Sequence, residues 1–143
     1  DHRGGVLTQA SILTLTSDGF RHRPVHRGKW ISEVILGVIP PPPPPNAGTL
    51  AATDGSTANR SLRARLEAHR AQASCAACHD KIDPFGFAWE NYDAIGRWRV
   101  KEETTGDQNQ LLDIDASGKL SDGRSYSSPE ELKMLLAEDS TRF

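Results

Sequence analysis

The stretch Cys75-Ala76-Ala77-Cys78-His79 limits what this chain can fold into more than any other. Thiols at this spacing lie about one turn apart along one side of a helix. Followed at once by histidine, they form the C-x-x-C-H attachment signal of c-type haem. The thiols bond the two vinyl groups on one porphyrin edge, and the histidine ligates iron from below as the proximal base. The segment is therefore expected to be helical, with a large apolar plate against it. These are the only 2 cysteines in the chain, so no thiol is left for another role.

Other chemistries of a C-x-x-C pair fit less well. A redox dithiol sits at a helix N-terminus after a strand, whereas a helical pattern, Ser61 to Arg70, precedes this pair. A structural zinc site needs four ligands, and no second pair or H-x-x-x-H follows. A disulfide across so short a loop would add little stability.

A length of 143 residues suits one domain, or two small ones sharing a core. Apolar residues make up 36% and aromatic ones 6%, a modest core that a buried porphyrin would enlarge. The net charge of -2 and the absence of a basic face argue against a nucleic-acid partner. The Arg-rich stretch from Arg60 to Arg70 and the acidic segment after Lys101 read as solvated surface. No apolar run is long enough to span a membrane, and no signal peptide is present. Because covalent haem attachment normally occurs outside the cytoplasm, a periplasmic or otherwise extracytoplasmic location is expected. The start at Asp1 and the abrupt stop at Phe143 suggest a piece of a longer protein.

The pattern divides the chain into four segments. Residues 1–39 form an N-terminal helical segment expected to pack on the haem, with a short helix from Thr8 to Leu15 and a second from Pro24 to Gly37. Val25, Trp30, Ile31, Val34 and Ile35 would be the buried side of that second helix. Residues 40–59 are a linker, opening with the 6 prolines Pro40 to Pro45, which must be polyproline II. Its expected role is a stiff spacer, and the Gly/Ser/Thr stretch behind it is a flexible loop.

Residues 60–99 form the haem-binding helical core. It comprises a helix from Ser61 to Arg70, a helix carrying Cys75 to Ile82 and capped by Ser74, a break at Asp83-Pro84, and a short helix from Phe87 to Ile95 ended by Gly96. Residues 100–143 carry short strands, a hairpin turn at Asp122-Gly123, and a C-terminal helix opened by the capping box Ser128-Pro129-Glu130-Glu131. The expected fold class is mainly α: a cytochrome c-like helical haem domain with a small β-hairpin appendage.

Several segments recur in this order in one family. They are Arg3-Gly4-Gly5-Val6-Leu7-Thr8, Arg23-Pro24-Val25-His26-Arg27-Gly28-Lys29-Trp30, the proline run, Leu66-Glu67-Ala68-His69-Arg70, and the block from Cys75 through His79, Ile82-Asp83-Pro84 and Gly86-Phe87. Glu90-Asn91-Tyr92-Asp93-Ala94-Ile95-Gly96-Arg97-Trp98-Arg99 completes the set. Through them the chain resembles the C-terminal domain pair of large extracytoplasmic proteins abundant in planctomycetes. The resemblance covers nearly the whole chain. It implies a c-type cytochrome module at the end of a larger protein, and in longer relatives the final helix continues. The family's biochemical role is poorly defined.

The iron's second axial ligand must come from the other histidines or from Met134, the only methionine. His22 and His26 stand four apart at the start of a predicted helix, and either would give a bis-histidine iron. They rank ahead of Met134, whose thioether would raise the potential. His69 is too close in sequence to reach over the ring, and His2 is near a terminus. An open sixth position is the alternative and would permit small-ligand or peroxide chemistry. Arg97, Trp98 and Arg99 are candidate donors to the haem propionates, because buried carboxylates need charged or N–H partners. Asp113-x-Asp115-x-Ser117-Gly118 is similar to a calcium loop, but Arg124 stands where its glutamate belongs, so a turn is expected.

These readings converge on one-electron transfer by one covalent haem c, with redox proteins as partners. A haem-bearing enzyme domain and a haem-stapled structural module are the rival classes. The haem carries the redox chemistry, while the protein supplies burial, ligation and hydrogen bonds.

Overall fold

A computed structural model describes residues 2–43, 58–71, 73–104 and 109–138. The end of the proline run, the loop behind it and the last residues of the chain lie outside these.

Chain order begins with a single 3₁₀ turn, Val6–Thr8, and α1, Ala10–Leu15. Helix α2, Pro24–Trp30, starts with proline at its first position, where the missing N–H costs nothing. It runs on as a π-helical turn, Ile31–Ile35, and stops at Gly37, which takes the left-handed φ of 66°. Helix α3, Leu62–His69, is capped by Ser61, whose hydroxyl accepts the Ala64 N–H.

Helix α4, Ala73–Phe87, organises the rest, and α2 packs mainly on it. The approach is backbone to backbone. A Cβ added to Gly28 would lie 2.2 Å from the Ile82 carbonyl oxygen, and one on Gly86 would lie 2.0 Å from that of Pro24. This crossing was not legible in the apolar periodicity. Val34, expected on the buried side, is exposed, while Pro24, Arg27, Gly28 and Ile31 are buried.

The structure corrects the break expected at Asp83-Pro84. Helix α4 begins at Ala73, before Ser74, and continues through Pro84. An interior proline forfeits one ladder bond. Here Pro84 is buried, and its own carbonyl accepts the Tyr126 hydroxyl. The helix expected from Phe87 to Ile95 is also absent. Trp89, Glu90 and Tyr92 instead make turns back to the carbonyls of Gly86, Phe87 and Trp89.

The reason lies in Arg27, which is 2% exposed. Its guanidinium donates to the carbonyls of Trp89 (2.9 Å), Tyr92 (2.7 Å), Asp93 (2.8 Å) and Leu13 (3.2 Å). Carbonyls that would have accepted helical N–H groups are held by a cation instead. Burial pushes the Arg27 pKa down to about 10, which leaves it charged at neutral pH.

The remaining chain adds two small antiparallel ladders. Strand β1, Lys101–Glu103, pairs with β2, Leu111–Asp113, placing Glu102 opposite Leu112. Strand β3, Gly118–Lys119, pairs with β4, Ser125–Tyr126, across the Asp122-Gly123 turn. Ser117 and Asp115 form a local turn at the calcium-like segment. Helix α5, Pro129–Glu138, has the expected cap: Ser128 accepts the Glu131 N–H, and the Glu131 carboxylate reaches back to Ser127. Leu132 and Leu136 bury against Trp89, Tyr92 and Tyr126. A helical body with small β-hairpins is thus what the sequence led one to expect. No helix among the described residues is long and apolar enough to cross a membrane.

Gly28→Ala tests the crossing cleanly. In an ordinary helix interior this change gains about 1 kcal/mol. Here it should instead destabilise by roughly 1–3 kcal/mol, the usual cost of overpacking, read as a lowered urea midpoint. A variant as stable as the parent would mean that the helices are not in contact there.

Candidate functional site

Cys75, Cys78 and His79 project from one side of α4, the side that continues through Ile82 and Gly86 into the contact with α2. Both thiols are free and half-buried. His79 is also half-buried, and its Nδ1 lies 3.0 and 3.1 Å from the two carboxylate oxygens of Asp83, one turn further on. Asp83 is fully buried. Burial pushes its pKa up, and the adjacent His79 works in the opposite direction. With Nδ1 so held, the ring presents Nε2 to a metal. His69, at the end of α3, meets the His79 ring edge-on at 5.6 Å, so it is a neighbour of that ring in space as well as in sequence.

The direction of α2 decides what lies beside these groups. Pro24 meets Gly86 and Gly28 meets Ile82, so the helices run in opposite senses. The following turn, Ile31–Ile35, therefore heads toward the cysteine-bearing half of α4 and packs on the same helix. Along this stretch and its continuation Val34, Val38 and Ile39 are left exposed, Ile39 at 80%. The donor set of two free thiols and one imidazole suits a prosthetic group bearing a metal. A groove of about 670 Å³ lies elsewhere, lined by Ala76, Ala77, Asp80 and Pro84 of α4 and by Tyr126. These positions lie round the helix from the thiols, so the groove is not part of this site.

The other expected site residues are placed differently. His22 is buried at the opposite end of α4. Its Nε2 is 2.9 Å from Glu90 Oε2, and Arg99 lies 2.9 Å from its Nδ1. The stretch of α4 from His79 to Phe87 alone spans about 12 Å, and Glu90 lies beyond it. In this fold His22 is a partner of the buried Glu90 carboxylate.

His26 is exposed on α2, which lies flush against α4, so no plate can enter between the two helices at their crossing. Met134 is 57% exposed on α5. Arg97 is exposed and donates to Asp93 at 2.8 Å. Trp98 stacks on His2 at 3.6 Å and meets Tyr92 edge-on. Arg99 also donates to the Glu90 carbonyl. The structure therefore gathers Arg97, Trp98 and Arg99 around the turn that follows α4, not around the thiols.

Two residues of consequence escaped the sequence reading. Asp83 reads in sequence as part of a helix break, although its spacing of four from His79 is a signal for a contact between the two. Glu90 had no such signal, because its partners His22 and Arg99 reach it only through the tertiary fold.

Glu90 and Glu102 are both buried, and with His22 their ligand-type atoms all lie within 4.8 Å of one another. Arg99 occupies the same place, so the group reads as a charge-balanced polar network. Burial, and then the Glu90 charge, push the Glu102 pKa up. A carboxyl whose folded pKa is raised costs stability as pH climbs through the window above its unfolded value. Glu102→Gln should therefore raise the melting temperature at pH 7 and flatten the loss of stability above about pH 4.3. An unchanged pH profile would refute the assignment.

Comparison with known proteins places the chain. No curated protein and no solved structure matches it. A family model does match, over residues 3–102, which takes in the α2–α4 crossing, the Cys75–His79 turn and the Glu90 network, and the chain belongs to that family: PSCyt3, proteins of unknown function (DUF1588).

Proposed function

We propose that this chain is a c-type cytochrome module: Cys75 and Cys78 hold one haem through thioether bonds, His79 is its proximal ligand, and the module passes one electron at a time. The observation that carries this reading is the donor set on α4, two free thiols one turn apart followed by an imidazole whose Nδ1 is already engaged. The bound haem would supply the redox couple. The chain's own residues supply attachment, a fixed imidazole orientation through Asp83, and aliphatic cover from the stretch after α2. Its location is then extracytoplasmic, its partners are redox proteins, and the module serves a longer protein or a complex.

A second reading is favoured by one observation. Among the described residues, His22 is engaged by Glu90 and Arg99, while His26 and Met134 are exposed, and none of these three expected distal ligands makes a hydrogen bond or ring contact with the Cys75–His79 turn. The iron would then keep an open side, as in haem domains that bind small ligands or reduce peroxide.

Expression with a cytochrome c maturation system in the periplasm tests both. The purified chain should carry haem that resists acid-acetone extraction, with a mass increase of one haem. Replacement of Cys75 and Cys78 together by Ala should abolish it. Freely extracted haem, or two intact thiols, would end the cytochrome reading. Cyanide or carbon monoxide binding without displacement of a protein ligand would select the open-site form, and a six-coordinate low-spin spectrum would select the electron carrier.

A further inference from the structure

Asp83 is placed where it can do more than complete a helix. Its two carboxylate oxygens lie 3.0 and 3.1 Å from His79 Nδ1, and its side chain has 0% exposure. An exposed pair at this spacing is screened by water and contributes little. This carboxylate is out of water, on the nitrogen that iron would not use, so its charge acts on the ring at close range and little diluted.

We propose that Asp83 is a positioning residue that sets the electron-donating strength of the proximal histidine. It rests on the haem reading above and deepens it. By accepting the Nδ1–H, the carboxylate fixes the tautomer that ligates through Nε2. It also draws that proton outward and leaves more negative charge on the ring. A more basic imidazole stabilises ferric iron over ferrous, so the module's couple is held toward the low-potential side. Carboxylates in this position on metal-bound histidines generally act so, and their removal changes metal affinity or activity by about 10–100-fold. The geometry also says why aspartate serves. It stands four residues on, on the same side of α4, and is sealed from solvent.

The test is the midpoint potential of the holoprotein, measured alongside covalent haem content. Asp83→Asn keeps an acceptor oxygen but removes the charge. It should shift the reduction equilibrium at least tenfold toward ferrous iron, about 59 mV for a one-electron couple. Asp83→Glu, which keeps the charge, should return most of the way to wild type. A second readout needs no variant. In the cyanide-ligated ferric wild type, the His79 Nδ1 proton should exchange slowly with solvent in NMR spectra and resonate where strongly hydrogen-bonded ring protons do. If haem is covalently attached but Asp83→Asn leaves the potential unchanged, or if the His79 ring proton exchanges freely, Asp83 has no such role while the cytochrome reading stands. If the wild type attaches no haem, both fall, and the haem content shows which has happened.

Discussion

Everything in this fold depends on how closely α2 lies on α4. Gly28 and Gly86 let the two backbones touch, and a single methyl group on either would collide with a carbonyl oxygen. This contact buries the side of α4 that holds Ile82, Asp83 and Gly86, and leaves the preceding turn, with its thiols, only half-covered. It also carries Arg27 into the interior, where a charged group must find a full set of acceptors or cost several kcal/mol. The acceptors it finds are the carbonyls after α4, and the shape of that turn follows from them.

The molecule thus has two ends with different chemistry along one helix. At the N-terminal end of α4 the groups are soft or aromatic: two thiols and the rings of His69 and His79. At the other end the groups are ionisable: the buried His22, Glu90 and Glu102, with the half-buried Arg99. The second end pairs most of its polar atoms within the protein, as buried polar groups usually do, although among the described residues Glu90 Oε1 and Arg99 Nε have no hydrogen-bond partner. That is why residues that looked available as haem ligands or propionate donors are tied up elsewhere. A histidine or arginine in a sequence advertises its chemistry but not its address.

The half-covered end is the one with unused capacity. Its thiols are unpaired, and aliphatic side chains on the stretch following α2 remain in solvent. A porphyrin held there would cover surface that the protein does not cover itself. Asp83 links this end to the core, because it is fully buried and yet bonded to the half-exposed His79.

Much of this was legible locally. The C-x-x-C-H spacing needs only a helix to align its donors, and α4 supplies one. The Ser128–Glu131 cap, the proline at the start of α2, the Gly37 stop and the Asp122-Gly123 turn are each decided by neighbours a few residues away. What the sequence by itself determined is therefore the set of short-range elements and the attachment signature, because backbone sterics and one-turn spacings act within a few residues. The tertiary structure alone decided that α4 runs through Pro84, that the stretch from Phe87 to Ile95 does not become a helix, and that His22 and Arg99 serve Glu90 rather than the thiol-bearing turn. In each case a group distant in sequence supplies the decisive partner: Tyr126 for the Pro84 carbonyl, Arg27 for the carbonyls beyond α4, and Glu90 for His22. Burial makes those partners obligatory, and only the folded chain brings them together.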